Sequence, residues 1–360
     1  MIEEDCFSRE HIDHQCRRIG ANDRQLLEKS IHALALLGHL VESGLEFVFK
    51  GGSSLMLLLS PLRRLSTDID IVCGAFRADL DRILAGIAQK SPFTRYVEQE
   101  RGFRGLPNRR HFQFFFPSVT AAGREASVLL DVVEEAKPKL PTVSRPIRTA
   151  FIEVEYEVPV TMPSVEALLG DKLTAFAPRT IGIPYRSKSG YYQQMQVVKQ
   201  MFDIGELFDA AGDLREVDEA FRSSYRLENI YRGSKFSLEQ VLDDTLRVSV
   251  LMNSWGMRGA VDSPETKLLV QGIRRLQNHL VGSKFRVNIE AKTSAAKAAF
   301  LARLIRSRAT GIAIEDIRYD SERSEDFRKI RLAGELAVLN RLWKTNPEAF
   351  YYWYKVNGLT

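Results

Sequence analysis

The chain has 360 residues, 44% hydrophobic and 27% charged, which excludes a disordered or fibrous protein and leaves room for two domains. Its 51 basic and 46 acidic residues leave a net charge of +5, a mild lean toward a polyanionic partner such as nucleic acid or nucleotide. Three cysteines without a CxxC spacing imply neither a disulfide framework nor a zinc motif, and fit a reducing cytoplasm.

The acidic start, MIEEDCFSRE, is not a signal peptide. No uncharged apolar run approaches the roughly 20 residues that a membrane helix needs, so no membrane partner is expected. His11, His14 and Cys16 come near metal spacing but read better as one polar helical face. Residues 22–43 have helical periodicity, with Asn22 or Asp23 as cap and Gly44 as stop. LEFVFK (45–50) predicts a short buried strand, GGSS a turn, and SLMLLL a helix ended by Pro61. TDIDIV predicts a strand and 77–90 an amphipathic helix. RRHFQFFFP (109–117), SVLLDVVEE (127–135) and FIEVEYEVPV (151–160) predict strands. Beyond that point the pattern is helical, over 163–177, 191–211, 237–253, 263–281, 292–308 and 324–345. The closing aromatics suit core or interface. Two basic stretches, 101–110 and 137–148, read as solvated loops or as phosphate contacts. The alternation before residue 160 argues an α/β or α+β core.

Chemistry concentrates in a few residues. On a strand, Asp68 and Asp70 share one face and Ile69 and Ile71 the other. Like charges so close want a cation, and oxygen donors suit Mg²⁺; a solvated strand edge is the plainer alternative. Asp131 interrupts the apolar VLLDVV, where a buried carboxylate needs a partner. Beside residues 68–73 it completes a three-carboxylate cluster able to hold two Mg²⁺ ions for phosphoryl or nucleotidyl transfer; alone it would merely bond a neighbouring loop. Gly51 and Gly52 free backbone N–H groups for an anion at a helix start, and Ser53 and Ser54 add hydroxyls. GxxxxGK[ST] and GxGxxG are both absent. Lys172 falls on the apolar stripe of Val165, Leu168 and Phe176, either snorkelling to the surface or directed at triphosphate oxygens. Asp203 follows Lys199 by four residues, the spacing of a helical ion pair.

Together these residues resemble the AbiEii family. Its members are type IV toxin–antitoxin and abortive-infection nucleotidyltransferases of the DNA polymerase β-like superfamily. The family's first motif, an apolar strand, K-G-G-[ST]-x-L, a linker and R-x-S-x-D-h-D, is matched by Lys50, Gly51, Gly52, Ser53, Leu55, Arg64, Ser66, Asp68 and Asp70. Asp131 matches a later strand aspartate, and Lys172 a lysine in a Pxx-LLxxKLxA context. The family's K-D-x-x-D element is represented by Lys199 and Asp203, with Gln200 replacing its first aspartate, which weakens any role assigned there. The likeness covers about residues 22–210.

The resemblance implies an α+β fold. A polymerase-β-like nucleotidyltransferase core, a mixed sheet flanked by helices, would span 1–162, and a helical domain 163–360. It also implies a Mg²⁺-dependent, cytoplasmic transferase. A nucleoside monophosphate would pass from an NTP to an acceptor hydroxyl, foremost the tRNA 3′ end, in a toxin neutralised by a cognate antitoxin. Asp68, Asp70 and Asp131 would be the metal ligands, with Lys172 and Asp203 completing the catalytic set. Gly51, Gly52, Ser53, Arg64 and Ser66 would bind nucleotide. A protein or small-molecule acceptor, or nucleotide binding with little turnover, are the alternatives.

Overall fold

The computed structural model of the chain describes every residue except 100–106, 122, 136–139, 323–326, 328 and 360. The chain forms two units: Met1–Ser164 with Asn278–Ser283, and Val165–Gln277 with Lys284–Thr360. The first mixes strands and helices, and the second is helical.

In the first unit, α1 (Arg9–Ile19) leads into α2 (Arg24–Glu42). Asp23 caps α2 by accepting the backbone N–H groups of Gln25 and Leu26. Leu27, Ile31, Leu34 and Leu37 of α2 are fully buried. Then follow β1 (Val48–Lys50), the single-turn α3 (Leu55–Leu58), β2 (Asp68–Val72) and α4 (Arg77–Ile87). After these come β3 (Arg95–Glu98), β4 (Arg109–Pro117) and β5 (Glu125–Val133). The sheet order is β1-β2-β5-β4-β3, and β6 (Thr142–Pro146) pairs with β7 (Pro159–Pro163) in a separate ribbon. Only β2 and β5 pair in parallel in the five-stranded sheet.

The period of two sorts this sheet cleanly. Ile69, Ile71, Phe112, Phe114, Val128, Leu130 and Val132 share the face that forms the core, all essentially buried. Each such side chain contributes about 1.5–3 kcal/mol by leaving water. Asp68, Asp70, Asp131 and His111 lie on the opposite face. Buried Glu28 ties α2 to the β4–β5 connection. It accepts from Ser118 Oγ (2.7 Å), from the Val119 N–H (2.6 Å) and from the Thr120 hydroxyl.

Residues 278–283 belong with this unit, whereas the sequence places all of 163–360 in one helical domain. The Leu65 N–H donates to His279 O (2.7 Å) and the Val281 N–H to Arg63 O (3.0 Å), so the segment pairs along the linker that enters β2. Other expectations also change. The strand expected over 151–160 is displaced to β7, because residues 153–155 instead bond the chain's first residues through Glu3 N–H to Glu153 O and Glu155 N–H to Met1 O. In the expected loop 137–148, Thr142–Pro146 are strand β6, and 137–139 lie outside the described residues. Strand β3 had no counterpart in the sequence pattern.

The second unit holds α5 (Val165–Ala175), α6 (Gln194–Ala210), α7 (Leu214–Tyr231), α8 (Leu238–Ser254) and α9 (Pro264–Leu276). It continues with α10 (Lys292–Ser307), α11 (Ile314–Ile317), α12 (Leu342–Thr345) and α13 (Pro347–Gly358). Helix α10, alanine-rich and buried along most of its length, packs against α6, α8 and α13. Helix α7 was not expected from its charged sequence, although Asp213 caps it through the Arg215 N–H. Of the helix expected over 324–345, residues 324–326 and 328 lie outside the described residues, Gly334–Arg341 is 3₁₀ and α12 is α-helical. There the Asn340 side chain bonds both the N–H and the carbonyl of Leu332, holding a loop closed. The C-terminal aromatics are core, with Phe350, Tyr352 and Trp353 buried in α13. No described helix is long and apolar enough to cross a membrane.

Candidate active site

The polar face of the sheet carries a row of four residues across four strands. Lys50 on β1 faces Asp70 on β2, Asp70 faces Asp131 on β5, and Asp131 faces His111 on β4. Adjacent strands lie about 4.8 Å apart, so the Asp70 and Asp131 carboxylates are direct neighbours. Asp68 sits two residues before Asp70 on the same face, and the Thr67 hydroxyl donates to its Oδ1 (3.2 Å). His111 Nδ1 lies 2.6 Å from Asp131 Oδ1 and fixes that carboxylate. Nothing local in RRHFQFFFP marked His111, because its partnership depends on strand register.

The turn before α3 is built against this row. Gly51 has φ +79, and a Cβ there would lie 2.8 Å from Asp70 Cγ and closer still to Oδ2. Only glycine combines that dihedral with that approach. Gly52 stands as close to Arg64, since a Cβ would meet Nη2 at 2.6 Å. Arg64 is buried and donates to Gly52 O (3.4 Å) and Leu65 O (3.3 Å), bracing the turn from beneath. Ser53 and Ser54 are fully buried, and their hydroxyls donate to Asp68 O and Gly51 O. They pin the turn to β2 instead of offering protons outward. Ser66 is buried just before the strand. With α3 only one turn long, little helix dipole supports an anion, and the backbone N–H groups are the turn's remaining donors. Gly51→Ala is expected to lower stability by about 1–3 kcal/mol through strain at positive φ. It should also displace Asp70, cutting transfer at least about 100-fold in proportion to lost positioning. A melting curve and a transfer assay on this variant check both.

In the second unit Lys172 on α5 and Asp203 on α6 meet at 3.2 Å. Lys172 is 6% exposed and Asp203 1%, so the lysine does not snorkel. The contact favours Asp203 as the group that holds Lys172.

The basic stretch 101–110 is corrected in part. Arg101 and Arg104 lie outside the described residues. Arg110 is a β4 residue, 6% exposed, whose guanidinium grips Glu98 at 2.8 Å through two nitrogens and Asp81 at 2.5 Å. The hydrogen bond from Arg110 holds the Glu98 carboxyl below its usual range, and the same bond raises the Arg110 pKa. Arg110 is therefore unavailable to RNA, while Arg109 faces solvent. Arg148 pairs with Glu157 at 3.4 Å.

Among the described residues, no group of three or more His, Cys, Asp or Glu side chains is gathered to hold a metal ion. That includes His11, His14 and Cys16; His11 Nε2 instead lies 3.0 Å from Phe151 O. The carboxylates of Asp68, Asp70 and Asp131 nevertheless share one sheet face with oxygen as their donor atom, the chemistry that fits a hard divalent cation.

The family model described as "Nucleotidyl transferase AbiEii toxin, Type IV TA system" matches residues 35–255. The chain belongs to the AbiEii family. As an AbiEii protein it is a nucleotidyltransferase of the type IV toxin class, which implies an NTP substrate and a cognate antitoxin. The structure of MenT4, a nucleotidyltransferase toxin from Mycobacterium tuberculosis H37Rv, is similar to this AbiEii chain. It is 14% identical, with 92% of this chain and 99% of that one covered and a TM-score of 0.50, a likeness that speaks for the fold alone. JHP933 from Helicobacter pylori is 12% identical, with 84% and 94% covered and a TM-score of 0.42. No curated protein matches the chain.

Proposed function

We propose that this AbiEii protein transfers a nucleoside monophosphate from an NTP to a terminal hydroxyl of RNA, the tRNA 3′ end foremost, as a cytoplasmic toxin. The observation that carries the reading is the Asp70–Asp131 pair, in register on adjacent strands with the Gly51 turn closed against Asp70. The backbone of Gly51, Gly52 and Ser53 receives the NTP phosphates, with buried Arg64 and Ser66 maintaining the turn and its linker. Asp68, Asp70 and Asp131 would hold Mg²⁺, as two ions. When bound, the metal neutralises triphosphate oxygens and makes an attacking hydroxyl more acidic. Asp131, fixed by His111, accepts the proton of the acceptor hydroxyl. That oxygen bonds to the α-phosphorus, the bond to the bridging oxygen of the β-phosphate breaks, and pyrophosphate carries the electron pair away. Lys172, held by Asp203, is assigned to the triphosphate charge.

Incubation with each α-labelled NTP, Mg²⁺ and total tRNA tests this, with Asp70→Ala as control. Label on RNA from the wild type alone is the expected result. Label on protein would transfer the reading to a protein acceptor, and nucleotide binding without any label would leave a binding protein with little turnover. Growth arrest on expression, relieved by the antitoxin, tests the toxin role.

A further inference from the structure

Between Asp171 and Asp203 the sequence runs 31 residues with five cations, Lys172, Arg179, Arg186, Lys188 and Lys199, and no carboxylate. The charge of that stretch equals the net +5 of the whole chain. Lys172 meets Asp203, and Arg179 meets Glu265 at 2.8 Å. Arg186 and Lys188 are exposed and sit on a small hairpin that joins α5 to α6.

The hairpin is well built. Arg186 and Tyr192 form a β-bridge, the Ser187 N–H donates to Tyr191 O (2.8 Å), and the Gln193 N–H to Tyr185 O (2.8 Å). Ser187 Oγ accepts the Tyr191 N–H (3.0 Å), and Arg186 Nε donates to Gly190 O (2.9 Å). On this frame Tyr191 is 76% and Tyr192 58% exposed, with the Arg186 guanidinium 5.1 Å from the centre of the Tyr192 ring.

Two adjacent aromatic rings held in water forgo the stabilisation that burial would give them. The side chains around them in the loop are Ser187, Lys188 and Ser189, not the apolar surround of a protein-binding hot spot. Exposed rings interleaved with cations are the equipment for stacking bases and neutralising phosphates. We infer that the hairpin over residues 185–193 grips a single-stranded RNA segment, Tyr191 and Tyr192 stacking on bases while Arg186 and Lys188 meet phosphates. This rests on the RNA-acceptor reading and supplies its missing contact surface.

The test uses the full chain and a short fluorescein-labelled single-stranded RNA, read by anisotropy across a salt series. Y191A/Y192A is expected to weaken binding roughly 10- to 100-fold, with melting temperature and NTP binding unchanged. Y191F/Y192F, which keeps the stacking faces, should stay within about twofold of wild type. K188Q should reduce the salt slope by roughly 0.7. Wild-type affinity in Y191A/Y192A overturns the hairpin contact and leaves the RNA reading standing. A wild type that neither binds nor labels RNA removes both. Unchanged RNA affinity with lost neutralisation by the antitoxin overturns the inference and assigns the hairpin to a protein partner.

Discussion

Asp70→Ala is expected to cut nucleotidyl transfer severely and to leave the protein folded. Asp70 faces Lys50 on one side and Asp131 on the other, and it is the residue against which the Gly51 turn is closed. Removing its carboxylate would take away the centre of the proposed oxygen donor set. A loss of at least about 10³-fold in rate is expected, equivalent to about 4 kcal/mol of transition-state stabilisation. Stability should hold or rise slightly, because Asp131 loses a like-charged neighbour. The measurement is label transferred per minute at saturating NTP, beside a melting curve. Transfer at the wild-type rate from a well-folded variant would remove the sheet face from the mechanism.

The second large effect is on stability. Lys172→Met leaves Asp203, 1% exposed, without the cation 3.2 Å away, and Asp203→Leu strands the lysine. Each should cost about 3–5 kcal/mol, because one partner of a buried ion pair is removed and the other stays behind. A fall in melting temperature on the order of 10 °C follows for a unit of this size. The double variant K172M/D203L removes both charges together and should regain most of the loss, since an apolar pair of similar volume suits a buried position. It should nevertheless remain inactive, which separates the chemical role proposed for the lysine from its structural one. A double variant destabilised by the sum of the two single losses would show that the two side chains are not energetically coupled.

The carboxylate face was legible because strand periodicity alone separates Asp68 and Asp70 from Ile69 and Ile71. It likewise isolates Asp131 within VLLDVV. Periodicity assigns a residue to a face but not to a neighbour, so the row from Lys50 to His111 emerged only with the strand register. Arg110 shows the same limit. In a string of basic residues it reads as a loop cation, yet it alternates with exposed Arg109 across the pleat and is buried against Glu98 of β3, a strand too short and polar to announce itself. Glycine as the residue at position 51 was readable as a turn signal. The reason no other residue fits, its closeness to Asp70, was not. In the second unit, α7 hid behind its charges, with Leu214, Val217 and Phe221 as a narrow apolar stripe.

The pairing of residues 278–283 with Arg63–Leu65 carries a consequence for how the molecule comes into being. The unit that carries Asp68, Asp70 and Asp131 is not a contiguous block of gene. A ribosome releases Asp68, Asp70 and Asp131 early, but the strip beside the linker that leads into their strand stays empty until residue 283 has been synthesised. Cutting the chain after residue 164 removes that strip as surely as it removes the helical unit. For a protein of a toxin family, the order of synthesis therefore delays completion of this unit until more than three-quarters of the chain exists.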